Sequence, residues 1–448
     1  MPGRKTACSQ VGKAADRLKS AGRIRVPSEE LSAVFLGTKA LTQEPLLRKS
    51  RGEGGKGGKN RMETKEDVIR LCQRLVEIES TNPGIGEGYV AGYIRQLLKG
   101  KLPKEGRFLS HEVEEGRPIV MAELPGKSIL PPLVILCHMD TVPIASGWTK
   151  EPLGGRIEGG RLYGRGSCDM KGGMACALSA FLSACERVRT EGLPTRTIRF
   201  IGTMDEEADM KGIESAVELS WVDGSCLVMD TEPSHGEIQT AHRSRCWYRY
   251  RMHGRAAHAS EPEKGADAIS AMAYALCFAR EEVAALRPDA FCGGSRICFG
   301  EIRGGIHPYQ VPADCECSVD MRLSPPYDFE KGREILEHSA KRAAERIPGI
   351  SSEIIPCGYR PAVPHHPDSE LLSLLQSSIR EYTGEDAVVS PFPGYTDSAV
   401  VSGLCGNQNT LSYGPGSLEQ AHRPDEYVEL SELFRCEAVF RILLGKCF

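Results

Sequence analysis

The chain has 448 residues, 40% of them apolar and 26% charged, which is enough for two domains and a sizeable core. Residues 1–61 hold 14 Lys and Arg against 5 Asp and Glu, whereas the remainder holds 42 against 55, so the acidic body does not suit nucleic acid as a partner. No apolar run reaches the length of a membrane span, and the 17 cysteines form no C-x-x-C pair, which predicts reduced thiols in a cytoplasmic protein.

The first 61 residues are predicted to be a disordered basic leader. We interpret them as a translated extension upstream of a start at Met62, with a transit peptide as the alternative. Met62 is followed by Thr64 and Asp67, a pair that resembles a capping box, and then by apolar positions at helical spacing. A catalytic domain is therefore expected to begin at residue 62.

Each of three apolar segments predicted as strands is followed directly by polar side chains that can bind metals. The segments are 133–137, followed by His138 and Asp140; 197–203, followed by Glu206 and Glu207; and 225–229, followed by Asp230 and Glu232. A long helix predicted over 171–188 separates the first two. This alternation predicts an α/β fold with a mainly parallel sheet and helices on both faces. Ligands bind outside the carboxyl ends of strands in such sheets, so the polar residues are expected to share one site.

The middle of the chain has a different order of elements. Strands are predicted at 245–253, 295–303, 313–323 and 351–357, and helices at 265–284 and 328–347. This β-α-β-β-α-β order is that of a ferredoxin-like α+β domain. We therefore divide the chain into a catalytic part over 62–240, an inserted lid domain over 241–357 and a second catalytic part over 358–448. The second part is predicted to hold a helix at 369–382 and a loop at 393–398.

The polar residues at the strand ends suit a two-metal hydrolytic centre. Asp169 lies on a Gly-rich turn that opens a helix, and a carboxylate there can bridge two ions. Each zinc ion then needs further His or carboxylate ligands, for which the chain offers His138, Glu207, Glu232 and His422. Of the neighbours Glu206 and Glu207, one can bind metal while the other acts as the general base for a metal-bound water.

Two assignments within this set rest on sequence position. Asp140, two residues after His138, suits a supporting role in which its carboxylate accepts the other ring N–H of that histidine. Asp230 competes with Glu232 for one ligand position. The two residues lie close together in the chain, so the spacing leaves both open.

Taken together, these motifs resemble the family of di-zinc amidohydrolases and exopeptidases that includes acetylornithine deacetylase, succinyl-diaminopimelate desuccinylase and glutamate carboxypeptidase. The motifs HMDTVP, GRGSCDMKGG, DEE, TEPS, HAS and YGPG…AH…DE match in order, from Met62 to the C-terminus. The resemblance implies a zinc-binding catalytic domain and a ferredoxin-like lid through which such proteins often form homodimers.

The resemblance also implies roles for individual residues. The first zinc would be held by His138, Asp169 and Glu232, and the second by Asp169, Glu207 and His422, with Glu206 as the general base. Glu232 is preferred over Asp230 because the family's ligand directly precedes proline, as Glu232 precedes Pro233. Cobalt or manganese can replace zinc at ligands of these types.

The lid carries further candidates. By the same resemblance, His258 would reach the catalytic centre, often from the partner subunit, and donate a hydrogen bond to the developing oxyanion. Arg322 would bind the substrate carboxylate, with a structural ion pair as the alternative. Gln310 stands where the family usually has Asn, which puts substrate contacts there in doubt. Outside the lid, Gly414 is expected to let the main chain approach the substrate closely.

The predicted function is metal-dependent hydrolysis of the amide bond of an N-acyl amino acid or a short peptide with a free carboxylate. A dipeptidase or carboxypeptidase of the same family is the alternative, because the motifs encode the cleavage machinery and not the acyl group. A non-catalytic metal or amino-acid binding protein is disfavoured, since Glu206 and all five ligand candidates are present. The expected partners are a small amino-acid-derived substrate and a second copy of the chain, with no nucleic acid and no membrane.

Overall fold

Three β-sheets organise the protein in the computed structural model, which describes residues 59–448, with side chains from Glu66 onward. The strands are β1 (Arg107–Glu114), β2 (Arg117–Leu124), β3 (Leu133–His138), β4 (Arg156–Glu158), β5 (Arg161–Tyr163), β6 (Ile198–Thr203), β7 (Leu227–Asp230), β8 (Ile238–His242), β9 (Arg245–His253), β10 (Arg296–Gly304), β11 (Asp314–Arg322), β12 (Ser351–Arg360), β13 (Val389–Phe392), β14 (Thr410–Ser412) and β15 (Tyr427–Glu429).

Helices join most of these strands. They are α1 (Lys59–Val76), α2 (Gly86–Leu98), α3 (Lys171–Glu191), α4 (Lys211–Glu218), α5 (Ala268–Ala285), α6 (Phe329–Arg346), α7 (Glu370–Thr383), α8 (Asp397–Cys405) and α9 (Leu430–Gly445). Within residues 59–448, none of the helices is both long and apolar enough to cross a membrane.

The largest sheet has eight strands in the order β1-β2-β6-β3-β7-β14-β8-β13. Its centre is parallel, because β3 pairs in parallel with both β6 and β7, and β14 pairs in parallel with β7. Both faces of the centre are covered: in β3, Leu133 and Ile135 join the core that includes α1, α3 and α9, while Val134 and Leu136 join the core that includes α4 and α8. Burial on both faces explains why the segment is continuously apolar. The predicted fold class is confirmed.

The second sheet is antiparallel, with the order β10-β11-β9-β12. Helices α5 and α6 cover one face of it and share a separate core with alternate residues of β9, namely Cys246, Tyr248, Tyr250 and Met252. These four strands and two helices follow one another in the predicted β-α-β-β-α-β order. Only Arg243 and Ser244 lie between β8 of the large sheet and β9 of this one. The proposed domain boundaries remain a prediction.

Some elements differ from the sequence predictions. The first helix already begins at Lys59, so Thr64 lies inside it and does not cap it; residues 1–58 of the predicted leader lie outside the described part. The loop predicted over 393–398 ends earlier, because Thr396 accepts a hydrogen bond from the main-chain N–H of Ala399 and so caps α8 at Asp397. The hairpin of β1 and β2 was not predicted, nor was β8.

Candidate metal centre

The predicted ligands meet where three neighbouring strands end. His138 is the last residue of β3, Glu206 and Glu207 follow β6, and Glu232 follows β7. The Nε2 atom of His138 lies 3.0 Å from Oδ1 of Asp169 and 3.8 Å from Oε1 of Glu232. All three of these residues are buried. The parallel order of β6, β3 and β7 therefore produces the convergence that the sequence predicted.

Asp169 lies between two histidines. Its Oδ1 faces His138, and its Oδ2 lies 3.3 Å from Nε2 of His422, which in turn lies 3.2 Å from Oε1 of Glu207. One carboxylate thus presents its two oxygens to two separate groups of nitrogen and oxygen donors. This is the geometry that a carboxylate bridging two metal ions requires.

Two sets of donor atoms are compact enough to hold an ion. In each set, one donor atom from each residue lies within 4.8 Å of the donor atoms of the other two. The sets are His138, Glu206 and Glu232, and His138, Asp169 and Glu207. A carboxylate oxygen of Glu206, predicted as the base, therefore lies within 4.8 Å of donor atoms of His138 and Glu232. The arrangement brings both glutamates of the pair to the centre without assigning their roles.

The charge of the cluster fits bound cations. Burial raises the pKa of Glu206 well above its usual range; the positive charge of His138 opposes this shift, and the neighbouring Glu207 adds to it. Burial and repulsion from Asp169 and Glu206 likewise raise the pKa of Glu232. Carboxylates held together in a buried site are stabilised when cations compensate their charge. Imidazole and carboxylate donors of this kind suit zinc, cobalt or manganese.

Asp140 contacts the centre through both its main chain and its carboxylate. The closest partner of the His138 Nδ1 atom is the main-chain oxygen of Asp140 at 2.9 Å, whereas the Asp140 carboxylate is 3.5 Å away. That carboxylate also accepts hydrogen bonds from the main-chain N–H groups of Glu206 at 3.2 Å and Glu207 at 3.1 Å, and from the side-chain amide of Asn82 at 2.9 Å. The carboxylate of Asp140 therefore fixes the turn that carries the two glutamates.

The turn around Asp169 is held by residues to which the sequence analysis gave no role. Oε1 of Glu426 accepts the main-chain N–H groups of Cys168 at 2.9 Å and Asp169 at 3.1 Å, while its Oε2 pairs with Arg165 at 2.5 Å. Glu426 and Arg165 are both buried, and the peptide bond between Asp169 and Met170 is cis. The only sequence signal for Glu426 was its place at the end of the last matched motif.

The two candidates for one ligand position have different contacts. Asp230, the last residue of β7, is buried, and its Oδ2 accepts the main-chain N–H of Ser398 at 3.3 Å. Glu232 extends beyond the strand and lies beside His138. The sequence analysis gave no role to Asp397, next to Ser398, because its segment was predicted as a loop. It accepts the Thr203 hydroxyl at 2.6 Å, and burial raises its pKa to about 7.

The candidate residues of the lid have their contacts within the lid itself. His258 is exposed, and its Nδ1 atom lies 2.7 Å from the Ser260 hydroxyl; its main chain forms a bridge with Gln310. These two predicted residues are thus neighbours within the lid. Arg322 forms a two-point ion pair with Asp320, with Nε and Nη2 2.8 and 3.0 Å from its two oxygens. That pairing is the structural alternative considered for Arg322.

Gly414 packs closely against the main chain of the metal centre. A Cβ atom at this position would collide with the main-chain oxygens of Thr231 and Glu232. Glycine therefore permits a close approach of this segment to the chain that bears a candidate ligand, while the predicted approach to the substrate remains a prediction. A cavity of about 410 Å³ opens beside this segment. Its lining includes Pro233 and Ser234 after Glu232, and the run 416–420 before His422.

Comparison with known proteins identifies the family. Residues 134–446 match the model of peptidase family M20/M25/M40. The chain belongs to this family. The predicted resemblance, and the assignment as a metal-dependent hydrolase, are thereby confirmed.

Curated relatives of this protein are of similar length. An acetylornithine deacetylase of Proteus mirabilis is 29% identical over 310 residues, which cover 66% of this chain and 75% of the relative. A probable succinyl-diaminopimelate desuccinylase of Staphylococcus aureus is 25% identical over 408 residues, covering 84% and 97%.

Solved structures show the same fold at low identity. The aminopeptidase PepT of Bacillus cereus superposes with a TM-score of 0.69 at 18% identity, over 86% of this chain and 98% of that one. The YXEP protein of Bacillus subtilis, described as a dinuclear metal-binding peptidase of the M20 family, gives 0.63 at 16% identity, over 86% and 98%. In both comparisons the match spans most of each chain.

Proposed function

We propose that the protein hydrolyses the amide bond of an N-acyl amino acid at a two-metal centre. The observation that carries this proposal is the position of Asp169, whose two oxygens face His138 and His422 at 3.0 and 3.3 Å. A site that held a single ion would not need both oxygens of this carboxylate. The substrate is expected to carry a free carboxylate, as the names of the curated relatives indicate for those proteins.

The proposed ligands divide into two sets that share Asp169. The first set is His138, Asp169 and Glu232, and the second is Asp169, Glu207 and His422. Zinc is the proposed metal, with cobalt or manganese as substitutes. When bound, the ions would lower the pKa of the attacking water and polarise the scissile carbonyl. The main-chain oxygen of Asp140 would orient His138 through its other ring nitrogen.

Glu206 is proposed to move the proton. Its carboxylate would take a proton from the attacking water and later deliver it to the nitrogen of the leaving amine, so that the amide C–N bond breaks and a neutral amine departs. Burial raises the pKa of Glu206 well above its usual range, which is the direction that favours proton donation by a carboxyl group. The hydrogen bond from its main-chain N–H to Asp140 holds the turn in place.

The lid is proposed to complete the site in a homodimer. His258 is exposed and makes only local hydrogen bonds among the described residues, so its ring is available to the catalytic centre of a second copy. There it would donate to the oxyanion of the tetrahedral intermediate. Two further residues of the lid are proposed to contact the substrate. Gln310 is the backbone neighbour of His258, and Arg322 would release Asp320 and bind the substrate in its place. The free thiols of the described cysteines support the proposed cytoplasmic location.

A peptidase activity is the second candidate. It is favoured by structural neighbours described as an aminopeptidase and as human carnosine dipeptidase 1, the latter with a TM-score of 0.66 at 13% identity over 86% of this chain and 96% of that one. The curated relatives with higher identity are deacylases by name, so deacylation is placed first.

The test is amine release from N-acetyl, N-succinyl and N-formyl amino acids and from dipeptides. Zinc-loaded protein would be assayed beside Glu206→Gln and, as a matched control, Glu218→Gln at an exposed position of α4. We expect turnover of one substrate class, lowered roughly 100- to 10,000-fold in the first variant and unchanged in the control, since general acid–base catalysis contributes about that much. Equal activity of Glu206→Gln and the unaltered protein would contradict the role of Glu206. A lack of turnover by metal-loaded protein on every compound would contradict the function.

A further inference from the structure

Four arginines lie in a row across one end of the lid sheet. Arg296 of β10 pairs in register with Arg322 of β11, and Arg360 of β12 pairs with Arg245 of β9. Since Met321 is opposite Cys246, the next positions along the two central strands bring Arg322 opposite Arg245. Like charges directly opposite in a sheet destabilise it unless other charges compensate them.

Three of the four side chains are stabilised in evident ways. Arg322 is paired with Asp320. Arg360 is paired with Glu214 and also donates to the main-chain oxygen of Asp209 at 2.7 Å. Arg296 is exposed, so water solvates its charge.

Arg245 differs from the other three. It is 8% exposed, and among residues 66–448 no carboxylate lies within ion-pair distance of its guanidinium group. Its Nε atom is fully buried without a hydrogen-bond partner, and the face of the group lies 4.3 Å over the ring of Trp247. A buried guanidinium remains protonated, and leaving it unpaired is costly. A carboxylate from outside the protein would supply the missing partner.

The place of Arg245 in the fold connects it with the metal centre. It is the first residue of β9, two residues after β8 of the large sheet, and so lies at the junction of the two sheets. The charges that act on it include Glu206: burial and the nearby Arg360 lower the pKa of Arg245, and the Glu206 carboxylate opposes that shift. The carboxylate of the proposed base is therefore near enough to act on the charge of Arg245. Arg245 also lies on the sheet face opposite α5 and α6, since its neighbour Cys246 faces those helices.

We propose that Arg245 binds the free carboxylate of the substrate, at the junction between the lid and the metal centre. A planar guanidinium receives a carboxylate through two parallel hydrogen bonds, and the desolvated surroundings of Arg245 strengthen such a pair. This inference rests on the proposed function, which requires a carboxylate-bearing substrate. It adds, beside Arg322, a residue that neither the sequence motifs nor the resemblance indicated.

The test compares a carboxylate with its neutral analogue. The compound of the panel with the highest turnover and its primary carboxamide would be assayed with Arg245→Met, Arg245→Lys, Arg322→Met and, as the matched control from the same row, Arg296→Met. We expect Arg245→Met to lower the carboxylate-over-carboxamide ratio of kcat/KM about 10- to 150-fold, the range for a hydrogen-bonded charged group. Arg245→Lys keeps the charge without the fork, so a smaller loss is expected. Arg296→Met should leave the ratio unchanged.

Each outcome decides the proposal. An unchanged ratio in Arg245→Met and Arg245→Lys, with thermal unfolding showing that one of them folds, would overturn it, as would a loss confined to Arg322→Met. If the unaltered protein turns over none of the compounds, the proposed function fails. Calorimetric titration of N-acetyl-L-ornithine and its carboxamide then still decides the role of Arg245. A preference for the carboxylate that Arg245→Met removes would support it, and the absence of such a preference would overturn it.

Discussion

Glu426 accepts the main-chain N–H of Asp169 at 3.1 Å, although the two residues lie on separate segments of the catalytic sequence. The same carboxylate faces the guanidinium of Arg165, and both partners of this ion pair are almost fully buried. The turn that presents Asp169 to both histidines thus depends on a charged group far away in the chain.

Glu426→Gln is expected to weaken the metal centre. The amide keeps the shape of the side chain but leaves Arg165 without a buried counter-ion, which costs roughly 3–5 kcal/mol of stability when one partner of such a pair is removed. Metal affinity should fall about 10- to 100-fold, as for other residues that orient ligands. Urea denaturation and competition with a chelating dye measure the two effects. Glu429→Gln, which removes the half-exposed partner of Arg161, is the control and should cost less than about 1 kcal/mol. Equal effects of the two variants would contradict this account.

Asp140→Asn is expected to lower kcat while zinc is still bound. Asparagine has one oxygen where aspartate has two, so the N–H groups of Glu206 and Glu207 and the amide of Asn82 can no longer all be accepted. The turn that carries the proposed base would shift, and we expect a loss of about 10-fold or more in kcat. Asp223→Asn removes a carboxylate that accepts a main-chain N–H at 2.7 Å in an exposed turn and serves as the control. Unaltered kcat in Asp140→Asn would show that its carboxylate does not position the base.

His242 should make the protein sensitive to acid. Burial lowers the pKa of this histidine from 6.5 to about 4, and its Nδ1 atom has no partner among the described residues. Since the unfolded chain binds a proton near pH 6.5 and the folded protein does not until about pH 4, stability is lost as the pH falls through this window. At pH 7.5 neither state is protonated and nothing is lost.

Comparison with His242→Gln isolates this effect. Between pH 7.5 and 5 the free energy of unfolding of the unaltered protein should fall by about 2 kcal/mol more than that of the variant, at 1.36 kcal/mol for each unit of pKa difference. Denaturant unfolding at several pH values measures the difference. His111→Gln, at an exposed position, should give the same pH dependence as the unaltered protein. Parallel pH curves for the unaltered protein and His242→Gln would refute the assignment.

The sequence predicted the elements that carry strong patterns. The continuous apolar run before His138 and the alternation in residues 245–253 placed β3 and β9 within a residue of their observed ends. The hairpin before them was missed because β1 is mostly exposed and β2 is buried on nearly every residue, so neither strand alternates. A pattern of period two is visible only where a strand has one face in the core.

The candidate site divides in a similar way. Residues at strand ends, such as His138 and Glu232, could be predicted because sheet topology brings strand ends together. Glu426 and Asn82 could not, since their roles arise from contacts with segments far away in the chain. Arg245 could not be predicted for another reason. The alternation of its strand implies that its side chain is exposed, whereas the junction of the two sheets buries it.

The central claim is that Asp169 lies between two metal ions, and a zinc titration tests it most directly. Chelator-treated protein would be titrated with zinc while bound metal and amine release are measured together, beside Asp169→Ala and the exposed control Asp368→Ala. We predict that the unaltered protein and the control bind two equivalents and gain activity with them, whereas Asp169→Ala retains neither tight binding of the pair nor turnover. Full activity with no bound metal, or two tightly bound equivalents in Asp169→Ala, would contradict the account.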